Sequence, residues 1–333
     1  MKAVLEAVAL NKRFRVRAEG IGRKGGTVHA VTDVSFRLRE GETLGIVGES
    51  GCGKSTTARL LMGLVPSDSG DILLDGTVTE TNPAAMKLFR RNVQMVFQDS
   101  AASLNPRLTI EASIMFGPLV HGTGREPARA RAHALLERVG LEPARFAGRY
   151  PHELSGGQRQ RVNIARALAL QPRVVIFDEA VSALDKSVEA QVLNLLTDLK
   201  SEFGLSYIFI SHDLAVVRYI SDAVLVMYLG QVVEHGPVAN VYDAPAHPYT
   251  RALLASMPSM DPDARTLVPP IAGDPPSPID PPAGCRFHTR CPFAEPVCGT
   301  AAPKPASLAA GHHVVCHMVD PGSGHSRAGR GAP

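Results

Sequence analysis

Short apolar runs recur along the chain, separated by longer stretches with helical periodicity. The apolar runs lie at residues 43–47, 174–177, 207–210 and 224–227. Runs of this length are typical of strands buried on both faces of a parallel sheet. Residues 100–170 instead show helical periodicity, with alanine-rich amphipathic stretches such as 128–139. The pattern therefore predicts an α/β fold that carries a helical insert.

The two ends of the chain depart from this alternation. Residues 5–98 have the pattern of an antiparallel β entry followed by the first buried strand, with turns expected at 41–42, 67–70 and 75–76. Beyond about Tyr242, prolines recur from Pro245 to Pro282. Because proline cannot continue a helix, we expect this segment to run over the surface as extended chain.

The segment after the first apolar run fits the pattern G-x-x-x-x-G-K-[ST], between a predicted strand and a predicted helix. Glycines in such a loop let backbone N–H groups curl round phosphates, and the following helix points its positive end at them. We expect Lys54 to bridge the β- and γ-phosphates of a nucleotide and the Ser55 hydroxyl to bind Mg²⁺. A plain glycine-rich turn is the alternative, which the flanking strand and helix disfavour. The residues of this phosphate loop are Gly48, Glu49, Ser50, Gly51, Cys52, Gly53, Lys54, Ser55 and Thr56.

Two carboxylates follow the apolar run at 174–177. Asp178 is the expected outer ligand of Mg²⁺, and Glu179 the group that polarises an attacking water. Acidic residues after a strand also serve as helix caps, and the pair alone does not separate the two roles. The phosphate loop upstream favours catalysis.

The sequence LSGGQRQR at 154–161 lies between the phosphate loop and the two carboxylates. With this order of motifs the chain resembles the ATPase subunits of ABC transporters over nearly its whole length. The resemblance implies a RecA-like P-loop NTPase core with an antiparallel β subdomain and a helical signature subdomain. It also implies three catalytic residues: Gln98, which senses the γ-phosphate and Mg²⁺, Glu179, and His212, which contacts the γ-phosphate.

Further binding residues follow from the same resemblance. Phe14 occupies the place of the aromatic that stacks on adenine, and Asp185 lies in the loop that runs along the dimer interface. The signature loop, which in the family caps ATP held by the opposing subunit, is Ser155, Gly156, Gly157 and Gln158. Its glycines allow close backbone approach, and the helix beginning there offers a second positive end. One chain cannot present both loops to one nucleotide, so we expect a dimer.

Four of the five cysteines fall late in the chain, at Cys285, Cys291, Cys298 and Cys316. Since intracellular chains rarely use disulfides, four clustered thiols indicate a metal site first. Their spacing fits neither the C-x-x-C pairs of zinc ribbons nor the common ferredoxin pattern. The residue pattern leaves zinc, an iron–sulfur cluster and plain buried thiols open.

Residues 284–298 and 311–317 resemble the C-terminal domain of oligopeptide and dipeptide importer ATPases, and residues 247–254 resemble its lead-in. Some members hold a four-iron, four-sulfur cluster on these cysteines, so the resemblance favours a 4Fe-4S cluster beside ATP and Mg²⁺. Zn²⁺ with nitrogen ligands is the alternative. The histidines that could supply those nitrogens are His288, His312, His313 and His317.

The resemblance also implies partners and a function. The partners are two membrane permeases, a second ATPase subunit in a homo- or heterodimer, and an extracytoplasmic substrate-binding protein. The expected function is ATP hydrolysis that energises import of dipeptides or oligopeptides. Nickel or glutathione as cargo, or a soluble ABC ATPase outside transport, are the alternatives.

The composition of the chain bears on its partners and its location in the cell. The 333 residues carry a net charge of only +3 and 5% aromatic residues, so a nucleic-acid surface is not expected. No apolar run approaches the roughly 18 residues of a membrane span, and Glu6 interrupts the apolar start of the chain. We therefore expect a peripheral protein on the cytoplasmic face of the inner membrane.

Turn residues, prolines and changes of periodicity along the chain predict five segments. They are 1–98 and 171–241 for the two parts of the ATP-binding core, 99–170 for the helical subdomain, 242–320 for a small C-terminal domain with the four cysteines, and 321–333 for a disordered tail.

Overall fold

The computed structural model describes residues 2–16, 25–257, 271 and 273–329. The chain forms two compact units. The first comprises Met1–Glu6, Arg37–Thr43 and Leu73–Ser211, and the second comprises Ala7–Phe36, Leu44–Ile72 and His212–Pro333. Both contain strands and helices, which confirms the predicted α/β class.

In chain order the strands are β1 (Ala3–Val16), β2 (Gly26–Arg39), β3 (Thr43–Val47), β4 (Ser69–Leu74), β5 (Thr77–Val78), β6 (Val93–Val96), β7 (Val174–Asp178), β8 (Ser206–Ile210), β9 (Ala223–Tyr228), β10 (Gln231–Pro237), β11 (Pro305–Ala309) and β12 (His312–Val315). The helices are α1 (Lys54–Leu61), α2 (Pro83–Asn92), α3 (Ile110–Val120), α4 (Arg125–Arg138), α5 (Pro143–Phe146), α6 (Gly156–Leu168), α7 (Lys186–Phe203), α8 (Leu214–Ile220), α9 (Val238–Asp243), α10 (Pro248–Ala255) and α11 (Pro296–Thr300), with a 3₁₀ turn at Pro151–Glu153. The four strands predicted from apolar runs are β3, β7, β8 and β9, and all four are confirmed.

The first unit is built on three parallel strands, β6, β7 and β8, with β7 in the middle. Val93 lies opposite Val174, and Asp178 lies opposite Ile210. Strands β7 and β8 are buried along their whole length, as continuous apolar runs require. The carboxyl end of β7 is where the two predicted acidic residues emerge.

The helical insert of the first unit confirms the periodicity of residues 100–170. Helices α3, α4 and α6 pack on one another. Ile114, Leu136 and Val162 supply fully buried side chains, one from each helix. Thr109 caps α3 by accepting a hydrogen bond from the Ala112 backbone N–H at 3.2 Å.

In the second unit five strands follow the order β11-β12-β10-β9-β3. β3 and β9 are parallel, whereas the pairs β9–β10, β10–β12 and β11–β12 are antiparallel. The phosphate loop and α1 follow directly from β3. The C-terminal residues thus add two strands to the sheet that carries the phosphate loop.

A separate four-stranded sheet has the order β2-β1-β4-β5. Its β4 and β5 strands pair antiparallel across the predicted turn at Asp75 and Gly76, which have φ angles of 54° and 79°. The turn predicted at 67–70 is shorter than expected, because β4 already begins at Ser69.

The expectation of extended chain from Tyr242 onward is wrong for much of that segment. Helix α10 begins at Pro248, α11 begins at Pro296, and β12 pairs with β10. Proline is compatible with the first helical position, where its missing N–H has no intrahelical partner. The prolines at 258, 262, 269 and 270 lie outside the described residues.

The end of the chain contains hydrogen-bonded turns within residues 321–329, where a disordered tail was predicted to begin. His325 is buried there, and its Nε2 lies 2.9 Å from the Phe293 carbonyl. Among the helices of the described residues, none combines the length and the apolar character that a membrane crossing needs.

Candidate functional site

The phosphate loop takes its shape from two glycines with positive φ angles. Gly48 has φ 149°, and a Cβ there would lie 2.2 Å from the Met227 carbonyl oxygen. Gly53 has φ 108°, and a Cβ there would lie 2.3 Å from the Ala30 carbonyl oxygen. Any side chain at either position would displace the backbone. The backbone of the loop is therefore held against β9 and β2.

The side chains of the loop divide by exposure. Ser50 and Gly51 are exposed, Cys52 and Lys54 are buried, and Ser55 and Thr56 are half-buried in the first turn of α1. The Lys54 ammonium donates hydrogen bonds to the carbonyls of Gly48 at 2.7 Å and Glu49 at 3.1 Å. Burial raises the pKa of the Cys52 thiol. The Lys54 ammonium, which is expected to bind phosphate, is thus hydrogen-bonded to backbone carbonyls of the loop itself.

The two predicted acidic residues take different positions at the end of β7. Asp178 is buried as the last residue of the strand, and Glu179 has a left-handed backbone with φ 49°. The Glu179 N–H donates to the Ile210 carbonyl at 3.0 Å, which fixes this conformation. The Gln98 amide donates to Glu179 Oε2 at 2.9 Å. The structure therefore brings together two of the three predicted catalytic residues.

The signature residues form the start of α6. Ser155 accepts a hydrogen bond from the Gln158 N–H at 3.3 Å, and Gln158 Oε1 accepts one from the Ser155 N–H at 3.0 Å. This reciprocal pair is a capping box, which the sequence pattern S-x-x-Q also fits. A Cβ on Gly157 would lie 2.5 Å from Val188 Cγ1, whereas one on Gly156 would meet its nearest neighbour at 4.0 Å. Gly157 is thus required for packing of α6 on α7.

Asp185, Phe14 and His212 are placed by their own elements. Asp185 caps α7, and the Val188 N–H, a 2.9 Å donor to its carboxylate, holds the pKa of that carboxyl below its ordinary value. Phe14 lies on β1 with 39% of its surface exposed, so it is not a core residue. His212 is exposed two residues after β8 ends.

The four late cysteines line one pocket of the second unit. All five cysteines of the chain lie in described residues, and none forms a disulfide. Burial raises the pKa of Cys285 to about 11 and that of Cys316 to about 12. Within the described ranges, no group of three or more His, Cys, Asp or Glu side chains has an arrangement that could hold a metal ion. The four thiols therefore share one pocket without forming a ligand set for the expected iron–sulfur cluster.

Three of the four histidines considered as zinc ligands have hydrogen-bond partners within the protein. His288 Nδ1 lies 2.8 Å from the Cys285 carbonyl, and His317 Nε2 lies 2.9 Å from the Ala301 carbonyl. His312 Nε2 lies 2.9 Å from a carboxylate oxygen of Glu234. His313 is exposed on β12.

The sequence patterns do not reveal the contacts of three polar residues in the second unit. Arg290 and Tyr249 both contact Glu49 of the phosphate loop, although Arg290 lies 241 residues away in sequence. The fully buried Glu234 accepts hydrogen bonds from the N–H groups of Ala246 and His247, each at 2.9 Å. No periodicity or motif signals such long-range contacts. The one sequence signal near Arg290 is the adjacent Cys291, which belongs to the group of four late cysteines.

Comparison with known families gives two matches on this chain. Residues 31–182 match the family described as ABC transporter. Residues 233–298 match the family described as oligopeptide/dipeptide transporter, C-terminal region. The first match contains the phosphate loop, the signature loop and the two acidic residues, and the second contains three of the four late cysteines.

Individual proteins and a solved structure are also similar to this chain. The chain is 50% identical to the oligopeptide transport ATP-binding protein AppF of Bacillus subtilis, over 95% of this chain and 98% of that protein. It is 55% identical to the glutathione import ATP-binding protein GsiA of Pectobacterium atrosepticum, over 79% of this chain and 42% of that protein. Among solved structures, the dimeric ATP-binding cassette MJ0796 bound to ADP and Pi superposes with a TM-score of 0.61 at 28% identity, covering 70% of this chain and 98% of that one.

The structural match confirms the P-loop NTPase core, and the identity over almost the full length extends through the cysteine-containing region. The chain is an ATPase that belongs to the ABC transporter family, with the C-terminal region of its oligopeptide/dipeptide transporter branch.

Proposed function

We propose that the chain is the ATP-hydrolysing subunit that energises import of oligopeptides or dipeptides. The observation that carries this proposal is the C-terminal region of the peptide-transporter branch, which continues the same sheet as the phosphate loop through β12 and β10. The relative AppF, matched over almost its whole length, is an oligopeptide transport protein by name.

Within this function the phosphate loop binds ATP, and Lys54 exchanges its bonds to the Gly48 and Glu49 carbonyls for phosphate oxygens. The Ser55 hydroxyl and the buried Asp178 carboxylate are oxygen donors of the kind Mg²⁺ prefers. A Mg²⁺ ion held by oxygens of this kind would neutralise charge on the phosphates. Phe14, exposed on β1, stacks on adenine.

Hydrolysis depends on Glu179, which orients and polarises the attacking water. Its carboxylate is held by the Gln98 amide, so Gln98 sets the direction of the acceptor oxygens. His212 contacts the γ-phosphate and stabilises the charge that develops on it.

The signature loop acts on the nucleotide of a second ATPase subunit. Ser155 to Gln158 present the N-terminal end of α6, whose backbone dipoles favour an anionic ligand. Asp185 lies at the same dimer interface. Closing of the dimer on ATP and reopening after hydrolysis then shift the transporter between two states.

The partners of this function are two membrane permeases, a second ATPase subunit and an extracytoplasmic substrate-binding protein. The chain itself lies on the cytoplasmic face of the inner membrane, bound to the permeases. A pull-down of the tagged full chain in mild detergent, followed by mass spectrometry, tests this. Recovery of two permeases is expected. Recovery of soluble proteins alone contradicts the transport function and favours a soluble ABC ATPase.

Glutathione is a second candidate cargo, favoured by the 55% identity to GsiA. The cargo is distinguished by purifying the binding protein recovered in the same pull-down and measuring its affinity for glutathione and for a mixture of short peptides. Tighter binding of glutathione overturns the peptide assignment and leaves the ATPase role intact.

We also propose that Cys285, Cys291, Cys298 and Cys316 bind a 4Fe-4S cluster. The support is the convergence of four thiols on one pocket, which His247 also lines. His247 is buried, and its Nε2 has no hydrogen-bond partner in the described part of the chain. Binding requires the thiols to lose their protons and to move into ligand geometry.

Anaerobic purification of the full chain with iron, sulfide and zinc analysis tests the cluster. Four irons and four sulfides per chain are expected for it. Zinc at one equivalent favours Zn²⁺, and metal-free protein with four titratable thiols contradicts both.

A further inference from the structure

Two residues of the C-terminal region form hydrogen bonds with Glu49 of the phosphate loop. The Arg290 guanidinium donates to both carboxylate oxygens of Glu49, at 2.8 and 3.1 Å. The Tyr249 hydroxyl accepts a hydrogen bond from the Glu49 N–H at 2.8 Å. The side chain and the backbone of Glu49 are therefore both fixed from outside the loop.

Glu49 in turn places the cation of the loop. Its carbonyl oxygen accepts hydrogen bonds from the Lys54 ammonium at 3.1 Å and from the Cys52 N–H at 3.2 Å. Any shift of the Glu49 backbone moves the Lys54 ammonium and the turn that contains Cys52. Contacts on Glu49 thus determine the starting position of groups that receive phosphate.

The arginine is itself held in place by an aromatic cluster. Its side chain is only 6% exposed, and the guanidinium lies 3.4 Å from the Tyr228 hydroxyl. The rings of Tyr228 and Tyr249 are 4.6 Å apart, and Phe287 packs edge-on to Tyr228 at 5.3 Å. A buried, bidentate guanidinium has little rotamer freedom left to lose when it binds its carboxylate.

The ion pair also has an electrostatic consequence for a nucleotide. Glu49 is an anion within a loop that must receive several negative charges. Arg290 cancels that charge at a 2.8 Å contact. Without the guanidinium the carboxylate would repel a triphosphate more strongly than a diphosphate, because repulsion scales with the ligand's charge.

We propose that Arg290 and Tyr249 are positioning residues for ATP binding, acting through Glu49 on the phosphate loop. This inference rests on the proposed assignment of that loop as the ATP site. The residues that determine nucleotide affinity thus include two from the C-terminal region, which is otherwise distinguished by its cysteines.

Equilibrium binding of Mg·ATP and Mg·ADP to the full chain tests the inference with Arg290→Met, alone and combined with Glu49→Gln. Arg290→Met is expected to weaken ATP binding about tenfold, which corresponds to about 1.4 kcal/mol, and ADP binding less. Glu49→Gln combined with Arg290→Met is expected to restore most of the ATP affinity, because the uncompensated carboxylate is gone. An arginine that only stabilises the fold would lower the affinities for Mg·ATP and Mg·ADP equally, because both depend on the same folded fraction.

The matched control is Arg286→Met, which removes another buried arginine of the same segment. Arg286 donates to the Thr32 hydroxyl at 3.2 Å and not to Glu49. Arg286→Met is expected to lower the melting temperature. Adding Glu49→Gln to Arg286→Met is expected to give no gain in ATP affinity. If Arg290→Met does not fold, Arg290→Lys replaces it, since lysine keeps the charge and loses the bidentate contact.

The outcomes separate the inference from the function on which it rests. A wild-type chain that binds no ATP contradicts the proposed nucleotide site. A wild-type chain that binds ATP, with an Arg290→Met variant of equal affinity or with no rescue by Glu49→Gln, contradicts the positioning role alone.

Discussion

Glu179 and Glu234 are both glutamates attached to sheet strands, and their surroundings are opposite. Glu179 follows β7 on a left-handed backbone, half-exposed, with the Gln98 amide on its Oε2. Glu234 lies within β10 with 0% exposure. It accepts hydrogen bonds from the Ala246 and His247 N–H groups, and His312 lies 2.9 Å from its Oε1.

The difference separates the surroundings that the proposed catalytic role of Glu179 needs from those that a structural glutamate needs. A carboxylate that must accept a proton from water needs access to solvent and a fixed orientation. A carboxylate that joins β10, α10 and β12 needs complete hydrogen bonding and exclusion of water. Exposure and the donor set, and not residue type, separate the two roles.

The sharpest test of this contrast is Glu179→Gln. We expect ATP turnover to fall about a thousandfold, since the amide cannot act as a base. ATP affinity and the free energy of unfolding should stay at wild-type values. Steady-state hydrolysis and equilibrium nucleotide binding measure the two sides, with the exposed Glu137→Gln as control. Turnover near the wild-type rate removes Glu179 from the mechanism.

Glu234→Gln should show the reverse pattern. The amide leaves a buried donor without its anionic acceptor, which costs about 3 kcal/mol of the free energy of unfolding. Turnover per folded molecule should stay unchanged. Urea denaturation and active-site-normalised hydrolysis give the two values. An unchanged urea midpoint would show that the network around Glu234 contributes no net stability.

The signature glycines extend the contrast to residues without side chains. Gly157→Ala places a Cβ 2.5 Å from Val188 Cγ1, so we expect a loss of about 2 kcal/mol from overpacking between α6 and α7. Gly156→Ala is the matched control, because its Cβ meets nothing closer than 4.0 Å. Thermal unfolding of both variants checks this. Equal melting temperatures contradict a packing role for Gly157.

The smallest effect concerns pH. Burial alone would raise the pKa of Glu234, but the hydrogen bond with His312 and those from the backbone hold it below the ordinary value of 4.5. The ionised form therefore stabilises the fold above pH 4.5, and this contribution is lost as pH falls through the lowered folded-state pKa. Acid denaturation of Glu234→Gln should show a weaker pH dependence than the wild type. Identical acid slopes would exclude Glu234 as a contributor.

Local pattern was sufficient for the elements that carry the ATP motifs. The apolar runs at β3, β7, β8 and β9 are buried strands because no other element of that length and composition fits a two-sided sheet. The motif at residues 48–56 specifies backbone geometry, and both Gly48 and Gly53 take positive φ angles. The roles of the individual site residues stay predictions until the variants are measured.

Long-range side-chain contacts were beyond the same reasoning. The proline-rich composition near residue 248 suggested extended chain, yet His247 caps α10 by accepting a hydrogen bond from the Tyr249 N–H at 3.0 Å. The four cysteines are visible in the sequence, but their convergence on a pocket beside His247 is not. Pairs such as Glu49 with Arg290 depend on the tertiary fold, which no local window contains.

The antiparallel pairing of β12 with β10 determines whether the C-terminal region can be removed without damage to the rest of the protein. A chain cut before residue 284 would lose three partners at once: Arg290 from Glu49, His312 from Glu234, and the hydrogen-bonding edge that β12 gives β10. Each loss leaves a carboxylate or a strand edge of the remaining protein without its complement. The C-terminal region is therefore an integral part of the cassette and not a detachable accessory, so its removal by truncation is not a neutral way to study the motor alone.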